Sequence, residues 1–65
     1  MDNKKIGVTI ALLRNNKNMT QADLGERIGV SFQAVSKWER GETLPDISLL
    51  PTLADILETT IDYIL

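Results

Sequence analysis

Two short amphipathic segments joined at a glycine, between Gln21 and Arg40, constrain this chain more than any other feature. Helices that cross steeply through a turn of three or four residues need apolar residues facing a shared interior, a small residue where the backbones approach, and a glycine where the chain reverses. Suitable residue types occupy all seven positions: Leu24, Gly25, Ile28, Gly29, Val30, Val35 and Trp38. The segment therefore predicts two crossed helices that form one unit.

Helix caps can be assigned on both sides of this turn. Thr20 is a favoured N-cap residue, and Asp23, three positions later, can act as the acid of a capping box, so we expect the second helix to begin one residue after Thr20. Gly29 can adopt the left-handed conformation that ends a helix. Ser31 can then cap a third helix, predicted over residues 32–40.

Apolar residues at helical spacing recur outside this unit, and no stretch alternates apolar and polar residues for long enough to predict a strand. One apolar stripe predicts a first helix over residues 3–16; the stripe consists of Ile6, Ile10 and Leu13. Val8 and Leu12 form a second apolar stripe on the same helix. We expect the last helix to cover this second stripe; the alternative is a contact with a partner or with a further domain.

Pro51 sets the expected start of a fourth helix, which should end near Leu57. Proline lacks an amide donor and belongs in the first turn, which favours Ser48 over Asp46 as the cap.

Thr60 can cap a fifth helix, predicted over residues 61–65. No repeat, low-complexity tract or linker interrupts the chain. Five short helices with tight connections predict a small all-α fold, with residues 1–65 as a single domain.

Composition excludes most catalytic chemistry. The chain has no cysteine and no histidine, which rules out a disulfide framework, a thiolate or imidazole zinc site, and a histidine-activated nucleophile. We therefore expect no enzyme activity, no metal, no cofactor and no small-molecule site. The longest aliphatic run, from Ile10 to Leu13, is too short for a membrane span or a signal peptide, which favours the cytoplasm.

The net charge of −2 conceals an uneven distribution. All seven basic residues precede Gly41 together with four acidic residues, a balance of +3, whereas the remainder carries five acidic residues and no basic one. An acidic net charge taken alone argues against a nucleic-acid partner, which is bound through clustered Lys and Arg. The distribution indicates two surfaces with different roles, or an acidic half that provides solubility.

Several sequence pieces together resemble the Cro and phage-repressor type of helix-turn-helix DNA-binding domain, also called XRE-like. The resemblance extends from Ile6 to Leu65, and its most specific pieces are Met19-Thr20-Gln21-Ala22-Asp23-Leu24, Gly29-Val30-Ser31, Val35-Ser36-Lys37-Trp38-Glu39-Arg40-Gly41, and Leu44-Pro45-Asp46 leading into Leu53-Ala54. It implies a five-helix bundle whose second and third helices form the helix-turn-helix unit, residues 21–40. It also implies a sequence-specific transcriptional regulator, with repression the expected role, that inserts the third helix into the major groove of double-stranded DNA.

The resemblance implies which side chains read DNA bases. Gln33 is expected to contact a base because Gln can bond bidentately to adenine, although a solvated helix residue fits the same pattern. Lys37, one turn further on, can reach a guanine or a phosphate, and Ser31 and Ser36 can bond to either. Phe32 replaces the polar residue common at its position and either contacts a thymine methyl or staples the turn.

Four further residues are expected to contact phosphate. Thr20 and Gln21 lie at the amino end of the second helix, where free amides and the helix dipole suit an anion, although helix capping needs no DNA. Arg40 and Thr43 match family positions that touch the DNA backbone.

Other residues are expected to be structural. In the family, the positions of Arg14 and Glu39 form a partly buried ion pair between the first helix and the end of the third, which makes Arg14 unavailable to DNA. Trp38 is expected to anchor the core, and Gly25 and Gly29 to serve the helix crossing.

The resemblance also implies a homodimer on a palindromic site, and a further C-terminal domain or protein partner. Glu58 departs from the Gly or Asn usual at that helix end, so the chain path there stays open. The alternative function is a protein-interaction module of the same fold, antitoxin-like, in which the acidic second half is the working surface.

Overall fold

Five α-helices account for most of residues 2–65, the part of the chain that this computed structural model describes. They are α1 (Asn3–Asn16), α2 (Gln21–Ile28), α3 (Phe32–Glu39), α4 (Leu50–Ile56) and α5 (Ile61–Ile64), with a single 3₁₀ turn, Ile47–Leu49, before α4. No strand occurs within residues 2–65. The all-α prediction is confirmed, and α3, α4 and α5 each end one residue before the expected position.

The predicted caps of the crossed pair are present. The Thr20 hydroxyl accepts a hydrogen bond from the Asp23 amide (3.0 Å), and the Asp23 carboxylate accepts one from the Thr20 amide (2.9 Å). The Ser31 hydroxyl accepts one from the Ala34 amide (3.2 Å). Gly29 has a φ of 89°, a left-handed conformation that ends α2 and turns the chain into α3. Local capping chemistry therefore fixes both helix starts.

Two glycines allow close helix crossings. A Cβ atom on Gly25 would lie 2.7 Å from the Val30 carbonyl oxygen, so the turn between α2 and α3 can pass only over a residue without a side chain. Gly7 in α1 is closer still to its neighbour, since a Cβ atom there would lie 2.2 Å from the Trp38 carbonyl oxygen of α3. The sequence alone does not predict this role of Gly7, because nothing local to α1 requires glycine at that position.

The predicted cap of α4 is wrong. The Asp46 carboxylate accepts hydrogen bonds from the Ser48 amide (2.9 Å) and the Ser48 hydroxyl (2.8 Å), and it caps the 3₁₀ turn. This turn delays α4 until Leu50, whose N-cap, Leu49, makes no side-chain capping bond. Pro51 lies in the first turn of α4, as expected. The Ser48 hydroxyl is therefore a donor to Asp46 rather than the cap of α4.

One apolar core joins all five helices. Its buried residues are Ile6, Ile10, Met19, Leu24, Val35, Trp38, Leu50, Leu53, Ala54, Leu57 and Ile64. Each helix contributes apolar residues to this core, and α5 contributes the buried Ile64 together with the partly buried Ile61. The core holds α3 against α1 and α2, and this packing positions the outer face of α3.

The expectation that the last helix covers Val8 and Leu12 is wrong. Their exposed fractions are 62% and 52%. Helix α5 has only four residues and packs against α1 and α4 with Ile64 directed into the core, so it leaves the second stripe of α1 in contact with solvent.

Glu58 ends α4 in a left-handed conformation, with a φ of 55°. The following amide, on Thr59, donates to the Ala54 carbonyl (2.9 Å), and the Glu58 carboxylate pairs with Lys17. The chain therefore makes the turn usual for glycine, with a residue for which this backbone conformation is unfavourable.

Within residues 2–65, none of the helices combines the length and the apolar character that crossing a membrane requires.

Candidate nucleic-acid interface

The outward face of α3 is polar and basic. At about 100° per residue, Gln33, Ser36, Lys37 and Arg40 fall within an arc of about 100°, on the side of the helix opposite the buried Val35 and Trp38. Gln33, Lys37 and Arg40 are exposed, and Ser36 is half-buried. The buried side fixes the helix in the core, and its opposite side therefore presents two cations and two hydrogen-bonding groups to solvent.

Arg14 and Glu39 hold α3 in place from its carboxyl end. Arg14 donates from Nε to Glu39 Oε2 (2.7 Å) and from Nη2 to Glu39 Oε1 (2.9 Å), and the exposed fractions of the two side chains are 12% and 7%. Arg14 Nη1 also donates to the Met19 carbonyl oxygen (2.8 Å), just before α2. The hydrogen bond to Glu39 raises the pKa of the Arg14 guanidinium further above its usual value. Arg14 is thus committed to contacts within the protein.

Gln21 joins the same network, which sequence reasoning missed. Gln21 Nε2 donates to Glu39 Oε1 (3.0 Å), so one carboxylate links the ends of α1, α2 and α3. The second N–H of this amide group remains able to donate elsewhere. No local sequence signal identifies the bond, because it depends on how two helices cross and joins residues far apart in the chain.

The amino end of α2 also carries Thr20, another of the four residues expected to contact phosphate. Thr20 is exposed, and its hydroxyl accepts the bond from the Asp23 amide, which leaves the hydroxyl proton able to donate. The first-turn amides of an α-helix have no partner inside the helix and carry partial positive charge. The Asp23 carboxylate lies at this same end, and its hydrogen bond from the Thr20 amide lowers the pKa of that carboxyl, so it is an anion at neutral pH.

The carboxyl end of α3 folds back on itself. Gly41 has a φ of 76°, and the Glu42 amide donates to the Lys37 carbonyl oxygen (2.9 Å). Arg40 donates from Nε to the Glu42 carboxylate and from Nη1 to the Ser36 hydroxyl. Thr43, which follows Glu42 in the chain, is exposed. Arg40 and Thr43 therefore lie where α3 ends, with Arg40 already paired.

At the amino end of α3, Ser31 and Phe32 are both exposed. The Ser31 hydroxyl accepts from the Ala34 amide and keeps its proton for a further bond. Phe32 has more than half of its surface exposed, which leaves a large apolar side chain in contact with solvent at the start of the polar face. The structure thus brings all five expected base-contacting residues to one end or one side of α3.

The described part of the chain contains no group of three or more His, Cys, Asp or Glu side chains arranged to hold a metal ion.

Comparison with known proteins identifies close relatives. A family model described as "Helix-turn-helix" matches residues 10–64. The chain is 38% identical over 65 residues to "Repressor protein C2" of Salmonella phage P22, covering 100% of this chain and 30% of that protein. It is 42% identical over 53 residues to "HTH-type transcriptional activator BcrR" of Enterococcus faecalis, covering 82% of this chain and 26% of that protein.

A solved structure of the P22 c2 repressor in complex with a synthetic operator has the same fold. It superposes with a TM-score of 0.88 at 40% sequence identity, over 92% of this chain and 91% of that one. The chain spans less than a third of the length of either full-length relative. The resemblance to phage-repressor domains is confirmed, and the chain belongs to the helix-turn-helix family.

Proposed function

We propose that this chain is a sequence-specific double-stranded DNA-binding domain of a cytoplasmic transcriptional regulator, with α2 and α3 as its helix-turn-helix unit. The observation that carries the proposal is the exposed arc of α3, which presents Gln33, Lys37 and Arg40 on a helix whose opposite side is buried in the core. An exposed helix fits the major groove, where side chains reach base edges. The P22 c2 repressor, in complex with a synthetic operator, has this same fold.

Base reading is assigned to the face and the amino end of α3. Gln33 and Lys37 lie one helical turn apart on this face, so they can reach neighbouring base pairs. Ser31 and Ser36 each retain a hydroxyl proton for a base or a phosphate. Phe32 is exposed beside them, which favours contact with a thymine methyl over a purely local packing role.

Phosphate contacts are assigned to the two helix ends that flank this face. Thr20 and Gln21 lie at the amino end of α2, and Gln21 is oriented by its hydrogen bond to Glu39. Arg40 and Thr43 lie at the carboxyl end of α3. Contacts on both sides of the inserted helix would fix its orientation in the groove.

A homodimer on a palindromic site is part of this proposal. An apolar groove of about 320 Å³ is lined by Ile6, Leu44, Pro45, Ile47, Leu50 and Leu65. Ile47 at its rim is 81% exposed, which leaves apolar surface for a second copy to cover. Two copies would then present two α3 helices to half-sites about one helical turn of DNA apart.

We propose repression as the direction of regulation, because the chain, over its whole length, is similar to the repressor of phage P22. Selection of bound duplexes from a random pool tests the proposal. We expect a palindromic consensus with half-sites about 10 base pairs apart. If basic side chains neutralise two or three phosphates per protomer, a dimer should also show a slope of log K against log salt of about −4 to −5. Recovery of no enriched sequence at low salt would contradict the proposal.

A further inference from the structure

The guanidinium of Arg40, a proposed phosphate contact, already makes hydrogen bonds to other side chains of the protein. Its Nε donates to the Glu42 carboxylate and its Nη1 donates to the Ser36 hydroxyl. The two charged side chains remain accessible, with exposed fractions of 55% for Arg40 and 52% for Glu42. The guanidinium is therefore held against α3 by an acid of the same chain, at a position that a duplex could still reach.

The backbone places Glu42 at this position. Gly41 turns the chain in a left-handed conformation, and the Glu42 amide then donates to the Lys37 carbonyl oxygen (2.9 Å). These contacts close the carboxyl end of α3 and bring the Glu42 side chain back beside the helix. The pairing with Arg40 is thus a consequence of how α3 ends, rather than a chance meeting of two flexible side chains.

Both partners are fully charged at neutral pH. The hydrogen bond between them lowers the pKa of the Glu42 carboxyl and raises the pKa of the Arg40 guanidinium, and the positive charge of Lys37 lowers the pKa of Glu42 further. Glu42 is therefore an anion near both cations of the outward face. A phosphate oxygen that approaches Arg40 must therefore compete with the Glu42 carboxylate, which is also negatively charged and is already hydrogen-bonded to Arg40.

We propose that Glu42 is an internal competitor for DNA phosphate, because a phosphate can bond Arg40 Nε only by displacing the Glu42 carboxylate. This inference rests on the proposed DNA-binding function. The exchange replaces one charge-assisted hydrogen-bonded pair with another, so Arg40 contributes less affinity than an unpaired arginine would. Because binding to arbitrary sequences depends almost entirely on phosphate contacts, Glu42 weakens non-specific binding.

The test compares four variants with the wild-type chain: Glu42→Gln, Arg40→Ala, the double variant, and Asp55→Asn. The last variant removes one acidic charge from the exposed side of α4 and controls for net charge. The probe is a random-sequence duplex of about 20 base pairs, long enough for two half-sites. Fluorescence anisotropy gives Kd between about 50 and 200 mM salt. Circular dichroism verifies that each variant is folded.

Glu42→Gln should tighten binding about 2- to 5-fold per protomer, the range expected for freeing an exposed ion pair. The slope of log K against log salt should become steeper by up to about 0.9 per protomer. In the wild type, the exchange frees the Glu42 carboxylate, which retains a cation and offsets the counterion released from the phosphate. In the Arg40→Ala background, the same substitution should change Kd by less than about 1.5-fold, as should Asp55→Asn.

Unchanged binding by Glu42→Gln would overturn the inference, and so would an equal gain in the Arg40→Ala background, which would show that Glu42 acts only through its charge. In both cases the wild-type chain still binds duplex, so the proposed function stands. Absence of duplex binding by the wild type and by every variant at low salt would instead overturn the proposed function and this inference together.

Discussion

Arg14 in α1 and Glu39 at the end of α3 are joined by two hydrogen bonds of 2.7 and 2.9 Å, although 25 residues separate them in the chain. Gln21 donates to the same carboxylate from the start of α2. A single carboxylate thus holds three helix ends together, and one of its donors, Gln21, belongs to the proposed DNA-facing surface. The fold and the proposed site share this network, so its loss should affect both.

Arg14→Ala should lower the free energy of unfolding by about 3 to 5 kcal/mol, because it leaves the Glu39 carboxylate buried without its cation. Lys17→Ala is the matched control, since Lys17 pairs with Glu58 at the surface and its removal should cost less than about 1 kcal/mol. Urea denaturation measures both values. Equal losses in the two variants would show that water reaches Glu39 and that the network contributes little.

Gly7→Ala should lower the free energy of unfolding by more than the addition or removal of one methyl group at any other position in α1. The added Cβ atom would lie 2.2 Å from the Trp38 carbonyl oxygen, so α1 and α3 must separate, at a cost of about 3 kcal/mol. Gly29→Ala is the contrast: apart from the residue itself and its two chain neighbours, no atom lies within 4 Å of the added Cβ, and only the φ of 89° opposes the substitution, at about 1 kcal/mol. Thermal denaturation distinguishes these costs. A smaller destabilisation by Gly7→Ala than by Gly29→Ala would refute the close crossing of α1 and α3.

Glu58→Gly should raise the free energy of unfolding by about 0.5 to 1 kcal/mol. Glycine accepts the φ of 55° without strain, and this relief exceeds the loss of the surface pair with Lys17. The same substitution in a Lys17→Met background should stabilise the chain slightly more, because no ion pair is then lost. Chemical denaturation tests both, and a destabilised Glu58→Gly variant in the second background would contradict the assigned strain.

Stability should fall at acid pH through the capping carboxylates. The hydrogen bond from the Thr20 amide lowers the pKa of Asp23, and that from the Ser48 amide lowers the pKa of Asp46. A folded-state pKa below the unfolded one gives stabilisation that is present above about pH 4 and is lost as the pH falls through the folded-state pKa. With no histidine, the melting temperature should be nearly constant between about pH 5 and 8.

Asp23→Asn tests this assignment by comparing melting temperatures between pH 2 and pH 7. At neutral pH, the variant should have a lower melting temperature than the wild type. On acidification, its melting temperature should fall by less than that of the wild type. Asp55→Asn, which changes an exposed acid outside the caps, should follow the wild-type curve. Parallel curves for Asp23→Asn and the wild type would assign the acid sensitivity to other groups.

Gln33→Ala should reduce discrimination at one base position by about 1 to 3 kcal/mol and leave the salt dependence of binding unchanged. Lys37→Ala should weaken binding to all sequences more evenly if Lys37 contacts a phosphate. Competition with duplexes that differ at single positions measures the difference. A uniform loss for Gln33→Ala would assign it to the DNA backbone instead.

Local chemistry explains which structural features the sequence predicted. The caps at Thr20 and Ser31 and the turn at Gly29 depend on residues a few positions apart, and all three are present. The sequence also indicated the buried side of α3, since Val35 and Trp38 repeat at helical spacing. Ser48 does not cap α4, because a 3₁₀ turn over Ile47–Leu49 includes Ser48 and delays the start of α4 until Leu50.

The spacing of residues along the sequence does not predict features that depend on contacts between different helices. The requirement for glycine at position 7 arises from the Trp38 carbonyl oxygen on another helix, and the Gln21 bond to Glu39 arises from the ends of α2 and α3. The pairing of Arg40 with Glu42 is local, but it requires the left-handed turn at Gly41. The roles of the proposed base contacts depend on a duplex, so they remain predictions.

The most direct test of the DNA-binding proposal is the change in backbone amide NMR shifts of the labelled chain when a selected duplex is added. We expect the largest changes from Ser31 to Thr43 and at the start of α2, with small changes along α4. Changes confined to the apolar groove near Ile47, or no changes at low salt, would contradict the account.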